Sequence, residues 1–139
     1  IFFLNSETGW IVGSGGTVCG VGRFLKEKNS DVHVAAVEPA NSAALLGHEP
    51  GLHVIQGIGD GFIPPVLDVS LVDEVITVTD DDAINTAREL ARRESILAGT
   101  SSGANVWAAL TVASRLGNGA HVVTVLPDRI ERYFSTSLI

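Results

Sequence analysis

A glycine-rich loop between a predicted strand and a predicted helix is the strongest chemical signal in this sequence. Gly13-Ser14-Gly15-Gly16-Thr17 follows an apolar run at residues 10–12 and precedes a helical pattern at residues 18–28. In this layout, free backbone N–H groups and the positive end of the helix dipole converge on one point. Glycines leave room for an anion, and the two hydroxyls add donors. The loop therefore predicts phosphate binding.

Two other phosphate motifs can be compared with this loop. The dinucleotide fingerprint needs a third glycine, but counting from Gly13 the sixth position is Val18. Glu38 nevertheless ends the next predicted strand, where a ribose-binding acid lies. A non-catalytic, Rossmann-like nucleotide-binding module therefore stays open as an alternative. The P-loop is excluded because no Gly-Lys-Ser/Thr follows the loop.

A second motif, Gly-Thr-Ser-Ser-Gly at residues 99–103, has the spacing of a hydrolase nucleophile elbow around Ser101. In an elbow the acid and then the histidine follow the nucleophile, whereas His121 here precedes Asp128 and Glu131. Triads exist in other orders, so a hydrolase is disfavoured but not excluded. We interpret the motif as a small-residue turn that leads into a hydroxyl-capped helix N-terminus facing an anion.

Strands and helices alternate along the chain and must position these motifs. Thr79, followed by three aspartates, predicts the start of a helix. A helix at residues 104–116 is apolar on almost every side, which predicts burial. Residues 40–70 have no clean period. Apolar runs predict strands at residues 10–12, 32–37, 75–78 and 122–126. The alternation predicts an α/β fold, a three-layer αβα sandwich with a mainly parallel sheet.

Composition limits the class of protein further. The chain has 139 residues, enough for a single domain, with 45% hydrophobic and 18% charged residues. Its net charge of -7 argues against a nucleic-acid partner. Its one cysteine, Cys19, cannot build a metal-binding cysteine set, and we expect no metal and a buried thiol. No apolar run approaches the ~20 residues of a membrane span, so we expect a cytoplasmic protein.

Five segments in order resemble cysteine synthase (O-acetylserine sulfhydrylase), a family of fold-type II pyridoxal-phosphate enzymes. They are the glycine loop with its helix and residues 34–39, 55–64, 99–103 and 127–136. The family usually has Thr at Ser14, a small residue at Asp60, and at Arg129 a Ser that bonds the pyridine nitrogen. The Asp-Arg pair at 128 and 129 is similar to the second isoform, which accepts thiosulfate.

The resemblance implies a tryptophan synthase β-like large domain and a β-replacement reaction. O-acetylserine would lose acetate on pyridoxal 5'-phosphate, and a sulfur donor would add to give L-cysteine. A cystathionine β-synthase-like lyase remains an alternative, and the complete enzyme would be a homodimer. The residues that the resemblance assigns to the phosphate are Gly13, Ser14, Gly15, Gly16 and Thr17, with Arg129 as a further cofactor contact. Those that it assigns to the substrate are Gly57, Ile58, Gly59, Gly61 and Ser101.

A Schiff base needs a desolvated lysine beside the cofactor. The lysines here are Lys26 and Lys28. Both lie at the polar end of the helix, roughly 15 Å from its phosphate end at 1.5 Å per residue. In the family the catalytic lysine lies in the N-terminal half. We therefore expect residues 1–139 to be the C-terminal, phosphate-binding part of a two-domain enzyme, inactive alone and missing its N-terminal half.

Overall fold

A four-stranded parallel sheet organises the fold in a computed structural model of the protein, which describes residues 9–13, 15–136 and 138. The strands are β1 (Gly9–Gly13), β2 (His33–Pro39), β3 (Glu74–Val78) and β4 (His121–Thr124). Their order in the sheet is β3-β2-β1-β4, and every neighbouring pair is parallel. The helices are α1 (Gly15–Lys28), α2 (Asp80–Glu94) and α3 (Thr100–Leu116).

The helices cover both faces of the sheet. On β2, Val34 belongs to the apolar cluster that includes α1, whereas Ala35 and Val37 belong to the cluster with α2 and α3. Because β2 is buried on both faces, its sequence is a nearly continuous apolar run, as expected for a covered parallel strand. The predicted three-layer αβα sandwich is confirmed.

The glycine-rich segment before α3 was predicted as a turn, and this is wrong. Residues 100–103 form the first turn of α3, with Gly99 as N-cap. The predicted burial of α3 is correct for its first turns and for Ala108 and Val112 but not for the whole helix, since Leu110 is 62% exposed. The predicted N-cap of α2 is confirmed: Thr79 Oγ1 accepts a hydrogen bond from the Asp82 N–H at 3.1 Å.

The long segment between β2 and β3 contains only two short 3₁₀ helices, Ala44–Leu46 and Val69–Leu71. Side chains tie its end to α1 and β2. Asp73 pairs with Lys26 Nζ at 2.6 Å and accepts from the Val34 N–H at 2.8 Å. Burial by itself would raise the pKa of Asp73, but these hydrogen bonds and the Lys26 charge lower it below its usual value. The segment is therefore held by polar contacts rather than by regular structure.

The parallel sheet brings several chain segments to one edge. α1 begins where β1 ends. The start of α3 lies beside the end of β4, since Asn105 Nδ2 donates to the Val125 carbonyl at 2.9 Å and the Gly99 N–H donates to that of Asp128. Ligands of such sheets bind outside the carboxyl ends of the strands. In the part of the chain described, no helix is both long and apolar enough to cross a membrane.

Candidate active site

The predicted phosphate loop is a very tight connection. Gly13 ends β1 and Gly15 begins α1, so one residue, Ser14, separates them; Ser14 lies outside the described residues. Gly16 is exposed, and a Cβ atom built on it would meet nothing within 4 Å. Thr17 follows in the same turn and is half-buried.

The start of α1 is electrostatically available to an anion. Its first turn contains no acidic residue. The first turn of α2, in contrast, contains Asp80, Asp81 and Asp82, which already complement the positive end of that helix dipole. The open space at Gly16 and the uncompensated helix end fit the phosphate of pyridoxal phosphate.

A cavity of about 140 Å³ lies beside this helix start. Its wall includes Gly16 from α1 together with Gly57, Ile58 and Gly59. Two segments that are about 40 positions apart in sequence are thus brought together, as the resemblance implied. Gly61 is placed differently: a Cβ atom built on it would lie 2.6 Å from Pro50 Cβ, so this glycine packs against Pro50.

Two carboxylates also line the cavity, those of Glu38 and Asp60. Both oxygens of Glu38 accept from the Leu45 N–H, at 3.0 and 3.2 Å. Burial raises the pKa of Glu38, while the hydrogen bonds from the backbone of Leu45 and Ala44 oppose that rise. Because Glu38 caps a 3₁₀ helix of its own chain, it is poorly suited to bind a ribose, which disfavours the dinucleotide alternative.

Ser101 belongs to a buried hydroxyl cluster around the Asp128 carboxylate. Ser101 Oγ donates to Asp128 Oδ1 at 2.9 Å, and Ser102 Oγ makes a longer contact to the same oxygen at 3.4 Å. The Tyr133 hydroxyl donates to Asp128 Oδ2. The three hydroxyl-bearing side chains are at most 3% exposed. Asp128 is therefore a half-buried carboxylate whose hydrogen bonds come from buried hydroxyls at the N-terminus of α3 and from Tyr133.

This arrangement argues against the hydrolase alternative. The Ser101 hydroxyl is 3% exposed and donates its proton to a carboxylate. His121 begins β4 and lies at the opposite edge of the sheet. A nucleophilic serine must instead be exposed and donate to a histidine.

Tyr133 and Thr100, which lie at or beside this cluster, were not assigned to the site from the sequence. Tyr133 is 1% exposed, and its ring fills the space where a side chain at Gly99 would be, 2.2 Å from a built Cβ atom. Burial first, and then the Asp128 carboxylate, raise the pKa of Tyr133. Thr100 Oγ1 is buried and has no hydrogen-bond partner among the described residues. The only sequence signal for Thr100 was the Gly-Thr-Ser-Ser pattern to which it belongs.

The remaining predicted residues lie apart from the cavity. Arg129 is exposed, and its backbone pairs with Ala98 in an isolated bridge. Lys26 is paired with Asp73, and Lys28 Nζ lies 5.5 Å from the centre of the Phe24 ring. Both lysines are in the last turn of α1, as predicted, and therefore far from the helix start to which the sequence assigns the phosphate.

Comparisons with known proteins agree with this geometry. The sequence model of the pyridoxal-phosphate dependent enzyme family matches residues 11–128. A cysteine synthase of Staphylococcus aureus (strain N315) is 49% identical over 127 residues, which are 91% of this chain and 41% of that protein. Cysteine synthase B of Campylobacter jejuni is 52% identical over 126 residues, 91% of this chain and 42% of that protein. The chain thus spans about two fifths of these relatives' length.

Solved structures show the same relationship. O-acetylserine sulfhydrylase isoform 3 of Entamoeba histolytica has a TM-score of 0.90 at 44% identity, covering 95% of this chain and 41% of that one. The O-acetylserine dependent cystathionine β-synthase of Helicobacter pylori has a TM-score of 0.87 at 41% identity, covering 94% and 43%. The chain therefore belongs to the pyridoxal-phosphate dependent enzyme family and has the αβα fold of its fold-type II members.

Proposed function

We propose that this chain forms the cofactor-phosphate-binding part of a cysteine synthase. The reaction is a β-replacement in which O-acetylserine loses acetate and a sulfur donor adds to give L-cysteine. One observation carries the proposal: the cavity that joins the start of α1 to residues 57–60 at the carboxyl edge of the sheet. The relatives that are about 50% identical support the same activity.

The residues of this chain bind and orient in the proposed reaction. The backbone N–H groups at the start of α1 hold the phosphate of pyridoxal phosphate, with the hydroxyls of Ser14 and Thr17 as further donors. When bound, the cofactor withdraws electrons from the substrate Cα, so that its proton can leave. Gly57, Ile58 and Gly59 present backbone to the amino-acid substrate.

Asp128 keeps the α3 side of the site rigid. Its carboxylate accepts from Ser101 and Tyr133, and these contacts fix the first turn of α3 against the segment that follows β4. Ser101 remains a proposed substrate-site residue, although it is 3% exposed, donates to Asp128 and is not among the residues that line the cavity. Arg129 remains a proposed cofactor contact. Its side chain is exposed, so the structure gives this assignment less support than it gives the residues of α1.

We further propose that residues 1–139 are a single domain, the C-terminal part of a two-domain homodimeric enzyme in the cytoplasm. The Schiff-base lysine and the loop that binds the substrate carboxylate then come from the remainder of the enzyme. Two facts support this: the chain covers 41% of the S. aureus relative, and both of its lysines lie away from the phosphate end of α1.

A cystathionine β-synthase-like reaction is the second candidate, favoured by the similarity to the H. pylori structure. The same site would then accept an amino-acid thiol in place of sulfide. Assays of the full-length enzyme with O-acetylserine and each donor in turn separate the two reactions, because one product is cysteine and the other is a thioether.

The phosphate assignment is tested with Thr17→Val in the full-length enzyme. A hydrogen bond to a charged group contributes about 1.5–3 kcal/mol, so we expect Kd for pyridoxal phosphate to rise roughly 10- to 100-fold. Thr86→Val on α2 is the matched control and should bind as the wild type does. Equal binding by the two variants, or no product with any donor, would contradict the proposal.

A further inference from the structure

The Gly59 peptide is held by two side chains that lie earlier in the long segment between β2 and β3. The Gly59 carbonyl accepts from Ser42 Oγ at 2.9 Å and contacts His53 Nε2 at 3.0 Å. Ser42 is 1% exposed and follows closely after β2, whereas His53 precedes the glycines in the same long segment. A carbonyl oxygen has two lone pairs, and both are used here.

This contact fixes the protonation pattern of the imidazole. Since the Gly59 carbonyl can only accept, Nε2 of His53 must carry the hydrogen. Nδ1 of the same ring is buried and has no hydrogen-bond partner among the described residues. A proton on Nδ1 would place a buried N–H without an acceptor. The neutral Nε2–H tautomer is therefore the one that fits.

Packing leaves the Gly59 peptide little freedom. Its φ of +74° is a left-handed conformation that favours glycine. A Cβ atom at Gly59 would lie 2.5 Å from Pro39 Cγ and 2.8 Å from His53 Nε2. The peptide is thus enclosed between the end of β2 and the imidazole ring.

The neighbours of Gly59 form the cavity wall. Gly57, Ile58 and Asp60 line the cavity with Gly59, whereas Ser42 and His53 do not. The two side chains therefore act on the site through the Gly59 peptide. This segment has no helix or strand of its own to hold its shape, so its side-chain contacts decide which conformation it adopts.

We propose that His53, together with Ser42, is a positioning residue: it holds the Gly59 peptide so that residues 57–60 present a preformed wall to the amino-acid substrate. The inference rests on the proposed function, since that function assigns the substrate to this wall. Without the clamp the segment samples other conformations, and substrate binding must reorder it. Loss of the clamp should therefore weaken substrate binding and leave the rate of the chemical step nearly unchanged.

Two measurements on the full-length enzyme test the clamp independently of activity. Nitrogen-15 NMR of histidine-labelled protein should show His53 as the Nε2–H tautomer at neutral pH. In hydrogen–deuterium exchange, His53→Leu should exchange several-fold faster than the wild type in peptides covering residues 55–63. An Nδ1–H tautomer, or unchanged exchange, would overturn the proposal even if the enzyme made no cysteine.

Kinetics provide the rescue experiment. The glutamine amide nitrogen can reach the position of Nε2, so His53→Gln keeps the donor while His53→Leu removes it. The free energy of one neutral hydrogen bond corresponds to roughly a 3- to 10-fold change in an equilibrium constant. We therefore expect KM for O-acetylserine to rise by that factor in His53→Leu, with kcat nearly unchanged. His53→Gln and the control His121→Leu, at the opposite sheet edge, should stay within about twofold of wild type.

Each kinetic outcome decides the matter. A raised KM in His53→Leu that His53→Gln restores supports positioning through Gly59. Equal impairment of both variants would mean that the ring fills space, and a fall confined to kcat would mean that His53 serves the chemical step; either result overturns the proposal. A full-length enzyme that lacks cysteine synthase activity yet shows the predicted tautomer and exchange would reject the proposed function but keep the clamp.

Discussion

Asp60 and Asp128 lie at the same edge of the sheet but in opposite surroundings. Asp128 is half-buried and accepts from the buried hydroxyls of Ser101 and Tyr133. Asp60 is exposed at the cavity wall. A carboxylate whose oxygens accept hydrogen bonds from its own chain stabilises the fold. A carboxylate that faces a cavity instead attracts or repels the charge of a ligand that binds there. We therefore expect Asp128 to contribute mainly to stability and Asp60 mainly to the choice of substrate.

Replacing Asp60 should change the preference for the sulfur donor. One unit charge at 4 Å in water contributes about 1 kcal/mol, and thiosulfate carries one negative charge more than hydrosulfide. In Asp60→Asn we expect kcat/KM for thiosulfate, relative to sulfide, to rise about fivefold. Competition assays on the full-length enzyme measure the ratio, with Asp31→Asn after the far end of α1 as control. An unchanged ratio would show that the carboxylate does not face the donor.

Removing the Tyr133 hydroxyl should reveal how much the cluster stabilises the fold. Tyr133→Phe keeps the ring against Gly99 but removes the bond to Asp128, which we expect to lower the free energy of unfolding by about 1–3 kcal/mol. Because the folded-state pKa of Tyr133 is raised, its contribution is complete below the ordinary tyrosine pKa and is lost as pH rises above it. The stability difference between wild type and variant should therefore shrink above about pH 10. Urea titrations across that range check it, and a difference that grows with pH would reject the assignment.

At the scale of elements, the strands and the periodic parts of the helices could be predicted from the sequence. The first turn of α3 could not. Continuous apolar runs identified all four strands, since β2 is covered on both faces. Residues 99–103 are poor helix formers, so they resemble a turn. Helix packing decides the matter: a Cβ atom at Gly103 would lie 2.0 Å from the Ala83 carbonyl oxygen. The small residues of α3 allow close packing against α2. This contact is between two helices, so the sequence of α3 alone does not reveal it.

The same contact predicts an unusual effect of alanine. Alanine in a helix is more favourable than glycine by about 1 kcal/mol, yet Gly103→Ala should destabilise the protein by about 2–4 kcal/mol, because α2 and α3 must separate. Gly20→Ala in α1 is the matched control, since a Cβ atom there meets nothing within 4 Å. It should stabilise by up to about 1 kcal/mol. Thermal unfolding of the two variants checks the opposite signs, and similar signs would contradict the packing.

At the scale of the whole molecule, the sequence predicted that the start of α1 and residues 57–59 lie close together, as they do in the cavity wall, but not how side chains meet across the proposed site. Ser101 and Asp128 are joined across 27 positions, and their pairing follows from α3 starting beside the end of β4. The contact between His53 and the Gly59 carbonyl could not be predicted, because the irregular sequence between them has no pattern that brings the ring back to that peptide. The layers of the fold can therefore be predicted from local periodicity in the sequence. The polar contacts between side chains can be identified only in the folded structure.

The position of the lysines predicts what the isolated chain cannot do. Both lie in the last turn of α1, about 15–20 Å from its first turn at 1.5 Å per residue. Lys26 is held by Asp73 at 2.6 Å, and the Lys28 side chain is at the surface beside Phe24. Neither ammonium is placed to become a desolvated nucleophile at the proposed phosphate site. After incubation with pyridoxal phosphate and borohydride, peptide mapping of the 139-residue chain should therefore show no stoichiometric pyridoxyl-lysine. The full-length enzyme should show one, on a lysine outside this chain. Stoichiometric labelling of Lys26, abolished in Lys26→Arg, would mean that the chain carries its own Schiff-base lysine and would reject the two-domain proposal.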